Sequence, residues 1–351
     1  MQAASSPAAP AWDLRGLYAG TADPKLADDL ATARQAADEV ARTYRTRVAG
    51  LDAAELATAI TAYEAIGERA RRPGFYASLV FAADTEDQGA KSLLDQARAA
   101  GVEIGNVLTF FEIELKTIPD ARYADLLADP ALATARHWLD GVRRLRPHTL
   151  SEAEEQIIAR KNLTGRDALA QLFDELSSSL RFTLDGQQLS AEELLALLHE
   201  PDAERRERAY QLLMDTYASH GVVLTGILNG LLQDHRLECE LRHFADVVTP
   251  THLENEVRAE TVDAMMTATE RHYGAAQDYF RLKAKLLGLP RLKNTDLYAP
   301  LAASTTRLAF DEARDLVVNA YPSFAPEFGA LAHGFFARER IGAAIRPAKR
   351  L

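Results

Sequence analysis

Cysteine is almost absent from this sequence: Cys239 stands alone among 351 residues, so no internal disulfide can form. No apolar run lies between Met1 and Trp12, which removes the case for a secretory signal and points to a reducing, cytoplasmic setting. Proline and glycine are scarce, at 14 and 19 residues, and that scarcity favours long helices over sheets. Basic surplus is missing too, since the formal charge is -11, and a nucleic-acid partner would need clustered Lys and Arg. Residues 216–233 carry no charge, yet Ser219, His220, Thr225, Asn229 and several glycines interrupt the run. It is therefore read as a buried core helix, with no membrane span.

Catalytic signatures are missing as well. A zinc peptidase of the His-Glu-x-x-His kind needs two histidines four apart on one helix face and a glutamate to activate the bound water. The nine histidines are His137, His148, His199, His220, His235, His243, His252, His272 and His333, and no two have that spacing. Asp234, His235, Glu238, Glu240 and His243 form a looser set, in which Glu240 and His243 resemble one half of a di-iron site. That chemistry requires a second half, so a solvated helix face is the better reading. Cys239 between Glu238 and Glu240 reads as an inert thiol. There is no Gly-x-Ser-x-Gly, no phosphate loop and no dinucleotide fingerprint. No residue is assigned a catalytic or metal-binding role.

What is present is helical patterning, with 47% hydrophobic and 26% charged residues in the ordinary globular range. Apolar positions at helical spacing follow Asp23 (Leu26, Leu30, Ala33) and follow Asp52 with Glu55 (Leu56, Ile60, Tyr63), predicting two helices joined near Gly50. The run from Leu93 to Leu115 keeps one apolar face for about six turns. Asp84-Thr85 is expected to cap it, and Pro119 to follow its end. Ser151 with Glu154 and Ser190 with Glu193 are capping boxes. The acidic pairs Glu154-Glu155 and Glu192-Glu193 are explained by the helix dipole. Between the boxes, residues 181–189 alternate around Asp185-Gly186 and predict one β-hairpin. Asp202 caps a helix through Tyr217; further helices are predicted over 260–287, 310–320 and 326–338. Gly101 with Gly105 and Gly226 with Gly230 predict close helix contacts. The aromatics at 110–111, 279–280, 321–328 and 335–336 are read as packed core.

Several segments, in order, carry a resemblance. Trp12-Asp13-Leu14 with Leu17-Tyr18, Ala83 to Asp87, Phe110 to Leu115, Leu150 to Glu155, Asn162 to Gly165 and Phe182 to Gly186 are followed by Asn255-Glu256-Val257, Arg281 to Leu289, Asp311 to Arg314 and Ser323 to Phe328. This sequence resembles the oligoendopeptidase F family of zinc oligopeptidases over its N-terminal portion. Where that family continues from a Pro-Gly-Lys-Arg-Gly-Gly stretch into its cleft, this chain reads Arg346-Pro347-Ala348-Lys349-Arg350-Leu351.

The resemblance implies an all-α, multi-helical body, one lobe of a two-lobed oligopeptidase enclosing a channel, in the cytoplasm. It implies hydrolysis of internal bonds in short peptides with one zinc in the complete enzyme. The expected organisation is a disordered lead-in over 1–10, an N-terminal helical region over 11–117, a small family module over 118–200, and the start of the metallopeptidase domain over 201–351. Lacking the zinc motif, the chain is expected to bind no zinc and to be inactive alone. The alternative is a metal-free protein that binds peptides or partners, self-associating through apolar faces such as Leu316-Val317-Val318 and Phe335-Phe336.

Overall fold

A computed structural model describes residues 10–301 and 308–342. The expected lead-in, apart from Pro10, and the closing residues from Arg346 onward lie outside the described residues.

Helix α1 (Pro24–Tyr44) starts where Asp23 accepts from the Lys25 amide, with proline at the first turn. Helix α2 (Ala53–Ala83) opens on the predicted Asp52–Glu55 capping box and runs on through Pro73. The turn between them is pinned by Glu114, whose carboxylate accepts from the Thr46 and Val48 amides. Helix α3 (Gln88–Thr117) is capped by Asp87 rather than by Asp84-Thr85. Asp84 closes α2 and accepts from the Glu86 amide, so it is spent before α3 begins.

Helices α4 (Asp120–Ala128) and α5 (Arg136–Arg144) complete the first core. There Ala33, Ala37, Leu56, Ile60, Leu108, Phe111 and Leu115 meet Ile118, Leu132 and Leu139. Phe110 and Phe111 are buried, as predicted for that pair.

Helix α6 (Glu152–Thr164) packs beside α3, and α7 (Arg166–Ser179) packs beside α6. Strands β1 (Phe182–Leu184) and β2 (Gln187–Leu189) form the predicted hairpin, with Thr183 opposite Gln188. Asp185 and Gly186 both take positive φ there, 53° and 80°, the geometry of a tight two-residue turn. Helices α8 (Ala191–Ala196) and α9 (Ala203–Ser219) close a second core around Phe182, Leu194 and Leu213.

The charge-free run at 216–233 is not one buried core helix. Helix α9 ends at Ser219, His220 forms the break, and α10 (Gly221–Leu241) leaves Val222 90% exposed while burying only Ile227 and Cys239. Apolar composition set the expectation, but only one narrow stripe of α10 meets α7 and α9. Among the described residues no helix is long and apolar enough to cross a membrane.

Helix α11 (Thr249–Glu254) is short. The predicted helix over 260–287 is two helices, α12 (Ala259–Arg271) and α13 (Tyr273–Leu286), parted at His272. Helices α14 (Phe310–Phe324) and α15 (Pro326–Ala337) pair closely, with Gly329 so near Pro322 that a Cβ would lie 2.4 Å from its ring. Tyr279, Phe280, Tyr321, Phe328 and Phe335 are exposed, and Phe324 is 82% exposed, so the core reading fails for these clusters. They touch mainly each other, as in the Phe324 and Phe328 edge contact at 5.4 Å.

The glycine spacing is also corrected. Gly230 alone makes the predicted close contact, with Leu169; a Cβ at Gly101, Gly105 or Gly226 would meet nothing within 4 Å.

Candidate functional site

Helix α3 presents one face, from Val102 through Asn106, Thr109 and Ile113 to Lys116, to a cleft of about 780 Å³. These positions recur at three- and four-residue spacing, so one side of the helix forms the floor. The walls come from Glu155 and Ala159 on α6, Arg166 at the start of α7, and His235 to Arg242 near the end of α10. Phe244 and α11 close the rim.

Arg242 is the centre of the wall. Its two terminal nitrogens donate to the two oxygens of Glu155 at 2.8 and 2.8 Å, and its Nε donates to Glu238 at 3.1 Å. Glu238 also accepts from Arg166 at 3.2 Å. His148 donates from Nδ1 to the Arg242 carbonyl at 2.9 Å and stacks on Phe244 at 4.0 Å. On the floor, the Tyr63 hydroxyl donates to Glu112 at 2.9 Å. Burial first, then the Glu112 charge, pushes the Tyr63 phenol above its ordinary range, so it remains a neutral donor.

The loose set at Asp234 to His243 does not converge. His235 donates to the Val247 carbonyl at 2.7 Å, Glu238 serves the two arginines, Glu240 pairs with Arg236, and His243 takes a positive φ of 56°. Cys239 lies buried in the cleft wall, 3.7 Å from His235. Its thiol is pushed up by burial first and by Glu238 next, which keeps it protonated and unreactive. Among the described residues no three His, Cys, Asp or Glu side chains are grouped to hold a metal ion.

Sequence reasoning missed Glu155, which it attributed to a helix dipole, and Asn106, which it did not single out. The Glu238 to Arg242 spacing was visible as a helix pair, but the third partner lies 87 residues away. The wall's charges are engaged with each other, and the open face is a helix floor on which Asn106 and Thr109 alternate with Val102 and Ile113.

The family profile described as Oligopeptidase F matches residues 114–182. The group B oligopeptidase PepB of Streptococcus agalactiae is 22% identical over 97% of this chain and 57% of its own length. An oligoendopeptidase F homolog of Lactococcus lactis is 24% identical over 83% of this chain and 49% of its own. The chain thus spans about half the length of the curated relatives it matches. In fold it is similar to the crystal structure of oligoendopeptidase-F from Enterococcus faecium, with a TM-score of 0.71, 20% identity, and coverage of 90% of this chain and 64% of that one. In the order of its matching segments and in its all-helical architecture, this chain is similar to the oligoendopeptidase F proteins.

Proposed function

We propose that the chain supplies the N-terminal lobe and one wall of the peptide channel of an oligoendopeptidase, a zinc metallopeptidase that cleaves internal bonds in short peptides. The observation that supports this best is the cleft between α3 and α10, built in a chain that matches an oligopeptidase over 97% of its length. In this reading residues 11–117 and 118–200 form the helical region and the family module, and 201–351 begin the peptidase domain. The protein works in the cytoplasm.

The metal-binding and water-activating groups are not among these residues, because no two histidines stand four apart. The chain alone binds short peptides without hydrolysing them. Purified chain is assayed for zinc by plasma mass spectrometry and for cleavage of a quenched fluorescent peptide with and without chelator. No stoichiometric zinc and no cleavage are expected; chelator-sensitive hydrolysis overturns the reading.

One observation favours a second reading, in which the chain binds partners or itself without metal. Apolar side chains such as Phe324, Leu331 and Phe335 are exposed along α14 and α15, and exposed apolar patches promote association. A monodisperse monomer by sedimentation, with no hydrophobic-dye signal, removes that reading.

A further inference from the structure

Asn106 is buried in the floor of the cleft at 6% exposure, and its side-chain Nδ2, closed off from solvent, has no hydrogen-bond partner. Among the described residues only one other buried side-chain nitrogen, Arg205 Nε, is in that state. An unmet buried donor is costly and calls for an explanation. Its neighbours on the floor are engaged: Thr109 donates to the Gly105 carbonyl, while Glu112 accepts from Tyr63 and pairs with Lys116. The backbone carbonyl of Asn106 accepts from Gln156 on α6 at 2.9 Å, so the helix is held in place while the amide group is left over.

Gly105 lies beside Asn106 in the same floor, with Gly101 one turn earlier. A Cβ at either would meet nothing within 4 Å. Packing therefore does not require glycine at these sites, and glycine weakens a helix relative to alanine. Open helical glycines also occur at Gly74 and Gly226, but neither lines the cleft. At Gly105 the missing side chain coincides with the unmet donor.

We propose that this part of α3 is a track for the main chain of an extended peptide, which lies against Gly105 and, once the Asn106 side chain turns its amide nitrogen into the cleft, accepts a hydrogen bond from it through a peptide carbonyl. Asn and Gln amides are common orienting groups in such sites, and a bare helix surface lets a backbone approach closely. Contact with main chain rather than side chain gives a subsite that tolerates many peptide sequences. This inference rests on the cleft being the peptide wall.

The test titrates the full chain into a fluorescein-labelled short unstructured peptide, read by anisotropy, and records thermal melts of each variant. Asn106→Leu is expected to weaken binding about three- to tenfold, the worth of one hydrogen bond, while raising Tm. Gly105→Ala, which the open space admits, also raises Tm and weakens binding, and Gly105→Leu abolishes it. Gly74→Ala, the control, raises Tm and leaves binding unchanged. Wild-type affinity in the Asn106 and Gly105 variants overturns the track but leaves the peptide wall standing. A lower Tm in Asn106→Leu also overturns it, since the amide would then serve the fold. No binding by the wild-type chain overturns the underlying reading itself.

Discussion

Arg242 and Glu155 face each other in a two-pronged ion pair, each terminal guanidinium nitrogen donating to one carboxylate oxygen at 2.8 Å. The pair ties the end of α10 to the first turn of α6, so it sets how far apart the cleft walls stand. The planar fork makes such a pair directional as well as strong.

Acid should loosen this tie. Burial alone would raise the Glu155 carboxyl, but hydrogen bonds from Arg242 and the Leu150 amide outweigh it and hold the pKa below its ordinary value. A carboxylate depressed in the folded state stabilises above its unfolded pKa and loses that contribution as pH falls through the folded one. Glu155→Gln should cost about 1–3 kcal/mol near neutral pH. The gap between wild type and variant should then close as pH falls from about 5 downward. Urea midpoints across that range check it; a gap that stays constant with pH would sink the assignment.

Arg206 does similar work at a deeper site. It is 2% exposed, with Nε donating to the Thr295 carbonyl at 2.9 Å, one terminal nitrogen donating to the Glu200 and Pro201 carbonyls, and the other donating to Asp296 at 2.7 Å. This clasp holds the 293–299 turn against α9. Arg206→Ala should cost about 3–5 kcal/mol, because Asp296 is left as a buried unpaired charge. Lysine should not rescue it, since one ammonium cannot reach carbonyls on two sides. Hydrogen exchange should quicken at the amides of Thr295 to Ala299 in both variants; unchanged protection would show that the turn holds itself.

The parts of this fold that could be read from the sequence are those decided within a few residues. Asp52 with Glu55, Ser151 with Glu154 and Ser190 with Glu193 form their capping boxes, and Asp185-Gly186 makes its turn. Each depends on groups one turn apart. The break at His220 and the one at His272 carry no proline, and both histidines donate from Nδ1 back to a carbonyl four residues earlier. That local bond competes with continuation of the helix and leaves little trace in hydropathy. Helix α2 overrides the opposite signal by running through Pro73, which is buried. The cleft was illegible for a different reason: Glu155 meets Arg242, and Asn106 reaches the same space, only after α3, α6 and α10 have packed.

Gly226 and Gly230 share one spacing but not one environment, and that difference can be measured. A Cβ on Gly230 would sit 2.7 Å from Leu169 Cδ1, whereas one on Gly226 would meet nothing within 4 Å. Gly230→Ala should therefore destabilise the chain by about 1–3 kcal/mol through overpacking of α7 on α10. Gly226→Ala should stabilise it by about 0.5–1 kcal/mol through helix propensity. Denaturant unfolding of both variants checks the pair, and equal effects of one sign would refute the contact.

Alkaline pH offers a separate probe of the first core. The Tyr123 hydroxyl donates to the Leu139 carbonyl at 2.7 Å, joining α4 to α5 inside that core. Burial first, then the charge of Asp140, pushes this phenol up to about 12. A group that keeps its proton more tightly when folded contributes stability that is complete below its unfolded pKa and is lost as pH rises through the folded one. The chain should thus lose stability between pH 10 and about 12. Tyr123→Phe should cost about 1 kcal/mol near neutral pH through the lost hydrogen bond, yet decline less steeply in alkali. Some slope should persist in that variant, because burial also raises Tyr18 and Tyr63. Unfolding midpoints at neutral and strongly alkaline pH settle it: parallel declines in the two proteins would mean that Tyr123 ionises as freely in the fold as in the unfolded chain.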